Sequence, residues 1–125
     1  MTAIDIRDSG GNSPRARTLQ DLVTAIALAD PDLILRMVSE DVLWTPVGKK
    51  TVSGAAAVCR ALVRHGPASA LVINHIVVHG RSGAVDGTTE YRRRHRAFYI
   101  VVDFSSVKGP RVGGITSFST DITRP

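Results

Sequence analysis

The chain has 125 residues, 43% hydrophobic and 22% charged, the balance of one globular domain long enough to bury a core. Its apolar runs, such as Ile76-Val77-Val78, fall far short of the roughly 20 residues that span a bilayer, and "MTAIDIRDSGGNSPRAR" lacks the apolar stretch of a signal peptide, so a cytoplasmic location is expected. The net charge of +5 raises the question of nucleic acid, yet no helix-turn-helix, zinc-finger or RNA-recognition pattern accompanies it, which argues against that partner.

Residues 1–14, with "DSGGNSP", read as a flexible tail, and 15–123 as a single domain. In "TLQDLVTAIALAD", Leu19, Leu22, Val23 and Ile26 recur at the spacing of one helix face, with Thr18 and Asp21 resembling a capping box. Asp30 suits an N-cap and Pro31 the first helical position of a second, short helix. "SEDVLWTPVG" switches to strand character and stops at Pro46 and Gly48. "SGAAAVCRALVRHG" reads as a third helix opened by Ser53 and closed by Gly66 and Pro67. The single cysteine, Cys59, lies within it; it excludes an internal disulfide and a multi-cysteine metal site, and reads as a buried small residue. Four strands follow: "SALVINHIVVHG", its return "AVDGTTEYRRR" across the turn "RSG", then "HRAFYIVVDFSSV", and after a turn at "KGPR" the last, "VGGITSFSTDI". Helices followed by a run of strands give an α+β class rather than a parallel α/β sheet.

The order, with "ALADPDLILRMVSEDVLWTPVG", "GAAAVCRAL" and "YIVVDFSSVKGPRVGGITSF", resembles the nuclear transport factor 2-like superfamily, which includes ketosteroid isomerases and SnoaL-like polyketide cyclases. The resemblance spans about residues 18–122. It implies a cone-shaped α+β fold in which three N-terminal helices pack on a curved, mostly antiparallel sheet, an apolar cavity lies between them, and a homodimer forms through the outer sheet face.

Along "FYIVVDF", Phe98, Ile100, Val102 and Phe104 share one strand face and Tyr99, Val101 and Asp103 the other. The first row is assigned to the outer, dimer-forming face and the second to the cavity. The resemblance supplies Asp103 with a role, since the protonated acid of ketosteroid isomerases falls there. Their tyrosine donor falls on Ala25 and their general base on Thr45 or Pro46, so Asp103 alone survives of that trio. The epoxide-hydrolase branch fares no better, its second Asp falling on Thr120 with Asp121 one residue out of register.

The expected site therefore has Asp103 as acid or hydrogen-bond donor, with Trp44, Tyr99, Val101, Ile115 and Ser117 around a small hydrophobic or cyclic molecule. His75 and His79 stand about 13 Å apart along a strand, too far to chelate one metal. If "GRSG" closes the hairpin, Asp86 lies diagonally near either histidine, an accessory His–carboxylate pair. No cofactor or metal is expected. "YRRRHR" splits between two strand faces and reads as a solvated hairpin tip. Two functions fit: an isomerase, cyclase or dehydratase using Asp103, or a non-catalytic ligand-binding or dimerisation module whose sheet face is the working surface.

Overall fold

The structure, a computed structural model, describes residues 1–105 and 111–123. Its elements are β1 (Ala3–Ile6), α1 (Pro14–Leu28), α2 (Pro31–Met37), β2 (Val38–Pro46), β3 (Val52–Ser53), α3 (Ala55–Leu62), β4 (Ala70–His79), β5 (Ser82–Tyr91), β6 (Arg94–Phe104) and β7 (Val112–Asp121). The strands form one open sheet in the order β1-β4-β5-β6-β7-β2-β3. Its long central ladders are antiparallel, while β1 on β4 and β2 on β7 are parallel. Register shifts in β2, in β4 at Asn74 and after Asp103 bend the sheet around the helices.

Helix α1 begins earlier than its periodicity suggests. Ser13 is the N-cap, its Oγ accepting from the Ala16 amide at 3.0 Å, and Pro14 opens the first turn. Thr18 is already inside the helix and donates back to the Pro14 carbonyl, so it caps nothing. Asp30 does cap α2, accepting from the Leu33 amide at 3.3 Å. Helix α3 starts at Gly54 rather than Ser53, which is drawn into the short β3 opposite Leu43. The first 14 residues are not simply a tail: β1 pairs with β4, and the Thr2 hydroxyl donates to the Ala68 carbonyl at 2.6 Å. The turn expected at "KGPR" falls mostly on 108–110, outside the described residues.

The core decides which face of the sheet points where. Helix α1 lies across β4 and β5 and presents Leu19, Leu22 and Val23, all but fully buried, with Ile34 of α2 beside them. Each such leucine contributes about 1.5–3 kcal/mol on burial, provided the facing surface is also apolar. The sheet meets that demand with Leu71, Ile73, Ile76, Val85, Val102 and Ile115. Two glycines on the same face of β5 make room: Leu19 packs into the space a side chain at Gly83 would need, and the Phe98 ring covers Gly87. Cys59 is buried, its Sγ donating to the Pro31 carbonyl, and burial pushes the thiol's pKa up, away from nucleophilic use.

Candidate functional site: an apolar cavity with a cationic mouth

Strand β6 alternates as its sequence implies, but the two rows lie on the opposite sides from those expected. Phe98, Ile100, Val102 and Phe104 are buried against the helices, at most 8% exposed, and so are not a dimer face. Tyr99 and Val101 are 53% and 47% exposed on the outer face, where Asp103 also lies. The physical reason is direct. The helix faces turned to the sheet present Leu19, Leu22, Val23 and Ile34, so the row with two phenylalanines and two aliphatics takes the inside. The carboxylate goes where water solvates it without a desolvation penalty. Asp103 accepts from the Ser82 hydroxyl at 2.8 Å, its partner across the ladder, within an open groove it shares with Asp41 and Arg81.

His75 and Asp86 do pair, Nδ1 to Oδ1 at 2.8 Å, directly across β4 and β5 rather than diagonally. The two-residue turn at Gly80-Arg81 sets this register, pairing His79 with Ser82 rather than with Ala84. The pair sits on the outer face with the His75 side chain 71% exposed, so it contributes at most about 1 kcal/mol. Among the described residues no cluster of His, Cys, Asp or Glu could hold a metal ion.

Three of the expected ligand-binding residues do come together, on the inner side of the sheet. Trp44, Ile115 and Ser117 line a cavity of about 1200 Å³ between the end of α1, β2, the end of α3 and the inner faces of β5–β7. The pairing Trp44↔Ile115 and Pro46↔Ser117 aims all four inward. Trp44 Nε1 donates to Ser117 Oγ at 2.8 Å, which fixes the indole as one wall. Phe98, Ile100 and Val23 supply the rest of the apolar lining. Near the opening, His65 and Tyr91 meet edge to face at 6.4 Å between ring centres. Burial raises the pKa of the Tyr91 phenol, which stays protonated at neutral pH and can donate a hydrogen bond.

The mouth is cationic. Lys49, Lys50, Arg64, Arg92, Arg94 and Arg96 all line the cavity, and among the described residues no Asp or Glu does. Arg94 and Arg96 converge on Asp121, which stands one step outside, at 3.1 and 3.6 Å. The Arg94 hydrogen bond holds the Asp121 carboxyl below its usual pKa, so it remains ionised and keeps the two guanidiniums in place. Three of these, Arg92, Arg94 and Arg96, belong to the "YRRRHR" segment expected as a solvated hairpin tip. The remaining cations come from segments far away in the chain, and no local pattern links them.

No protein-family model matches the chain, and no curated protein matches it in sequence. Solved structures do match. A nuclear transport factor 2-like protein of unknown function from Burkholderia xenovorans is 15% identical, with a TM-score of 0.77 over 89% of this chain and 86% of that one. A steroid delta-isomerase from Pseudomonas aeruginosa is 19% identical, with a TM-score of 0.66 over 89% and 80%. A de novo designed protein with a curved β-sheet is 18% identical, with a TM-score of 0.72 over 88% of each chain. The chain therefore has the nuclear transport factor 2-like cone fold, three helices on a curved, mostly antiparallel sheet. That a designed protein shares it underlines that the fold by itself assigns no activity. No helix of the described residues is long and apolar enough to cross a membrane.

Proposed function

We propose that this protein binds a small, largely hydrophobic or cyclic molecule in the cavity walled by Trp44, Phe98, Ile100 and Ile115, without Asp103-based catalysis. The observation that carries the reading is the composition of that wall: an indole anchored by Ser117, flanked by apolar side chains, with no carboxylate among the described lining residues. Sites for small molecules have this character, mostly apolar with a few fixed polar groups. The fold shared with a steroid delta-isomerase agrees with a cyclic guest. The isomerase mechanism itself finds no support here. Asp103 faces outward, Ala25 is fully buried without a hydroxyl, and Thr45 and Pro46 offer no base.

Calorimetric titration with 4-phenylbutanamide, a neutral aromatic probe, tests the reading, with Asp103→Asn as the control. Asp103→Asn should leave affinity within about twofold and stability within about 0.5 kcal/mol, as for other exposed positions. A loss of binding in that variant would return Asp103 to the site and overturn the assignment.

The outer sheet face supports a second element, a homodimer. Val77, Tyr99, Val101 and Phe118 are exposed there, and the ladder pairs Tyr99 with Phe118 and joins Val101 through Ala84 to Val77. A patch repeated on two copies of one chain suits a two-fold contact. Val101→Glu should convert the dimer to a folded monomer in sedimentation analysis; an unchanged mass would place the contact elsewhere.

A further inference from the structure

The cationic mouth narrows the class of ligand, an inference that rests on the cavity being the binding site. An aliphatic and aromatic interior alone selects for apolarity. A low-dielectric cleft rimmed by one sign of charge also concentrates field at its opening. Here the rim is built from separate parts of the chain: Lys49 and Lys50 after β2, Arg64 after α3, and Arg92, Arg94 and Arg96 at the β5–β6 hairpin. Of these, Arg94 and Arg96 are held by Asp121. The hairpin tip adds a further sign. Arg92 has φ of 52°, the left-handed region that an asparagine or glycine occupies at lower cost, and its side chain faces the cavity mouth.

We propose that the cavity selects amphipathic organic anions: an apolar cyclic or alkyl body seated against Trp44 and Phe98, with one carboxylate, sulfate or phosphate group held at the mouth by Lys49, Lys50, Arg64 and Arg92. Guanidinium groups suit such oxyanions through paired N–H donors, and the two lysines add point charge. The Tyr91 hydroxyl, at the same end, is a neutral donor for a remaining oxygen.

The test compares 4-phenylbutyrate with 4-phenylbutanamide, which share the body and differ in charge, by calorimetry at low and high salt. The acid should bind about tenfold more tightly than the amide, and salt should remove the difference, since several exposed charge contacts sum to that amount. The triple variant Lys49→Gln, Lys50→Gln, Arg64→Gln should remove most of the preference for the acid over the amide, Arg92 keeping the remainder. Arg92→Gly should raise the urea midpoint while weakening the acid, a split that a purely structural arginine would not give. Equal affinities for acid and amide in the wild type would overturn the anion inference and leave the pocket intact. Failure of both to bind would overturn the pocket as well. A single-stranded oligonucleotide bound more tightly than the acid, and released by the triple variant, would reassign the rim to nucleic acid and overturn the inference.

Discussion

Gly87→Val is expected to destabilise the protein by about 3 kcal/mol or more, enough to lower the urea midpoint by about 1 M or more. Gly87 sits on the inner face of β5 between Ile73 of β4 and Phe98 of β6. A Cβ there would fall on the carbonyl oxygen of Val72, which is backbone and cannot rotate away, and within 3.0 Å of the Phe98 ring. Relief would need β4 and β5 to separate, breaking the ladder that carries α1. Gly114→Ala is the matched control. Its added carbon meets only Asp103 atoms, at 3.6–3.7 Å, an ordinary contact, and should change stability by less than about 1 kcal/mol. Equal midpoints for the two variants would mean that β4 and β5 do not pair in the register described.

Trp44→Ala is expected to weaken binding of 4-phenylbutyrate by about ten- to a hundredfold and to cost about 2 kcal/mol of stability. The indole is half-buried, so it loses less than a fully enclosed aromatic would. Its removal also leaves the Ser117 hydroxyl without its 2.8 Å donor. Trp44→Phe separates wall from hydrogen bond: the ring stays and the N–H goes, so affinity should fall by no more than about threefold while stability drops by about 1 kcal/mol. Calorimetry reads both effects on protein that remains folded. Unchanged affinity in Trp44→Ala would remove the indole from the site.

Much of the fold is written locally. The Leu19, Leu22, Val23, Ile26 spacing, the Asp30-Pro31 start of α2 and the Gly- and Pro-bounded strands each encode an element through side-chain period or capping. The resemblance to the cone fold rested on the same segments, and the solved structures bear it out. The departures have physical causes. Ser13 outcompetes Thr18 as the cap because Pro14 fixes the first turn ahead of it. β1 gains order from a parallel partner 67 residues away, Ala3 against Ala70, which no local pattern encodes.

The site was less legible, and in a specific way. Period-two alternation separates the rows of β6 but does not say which row is inside. Assigning the charged row to a cavity inverted Phe98, Ile100, Val102 and Phe104 against Tyr99, Val101 and Asp103. The deciding quantity is the apolar surface that α1 and α2 must cover, a property of the assembled layers. Trp44, Ile115 and Ser117 lie on β2 and β7, outside that inversion, and do face the cavity. The mouth brings Lys49, Arg64 and Arg92 together from three segments, and only the fold does so.

The most direct measurement is a crystal structure of the protein with 4-phenylbutyrate. Ligand density is expected on the inner side of the sheet, its ring between Trp44, Phe98 and Ile115 and its carboxylate toward Arg64 and Arg92. Density instead in the outer groove, against Asp103, Ser82 and Arg81, would contradict this placement.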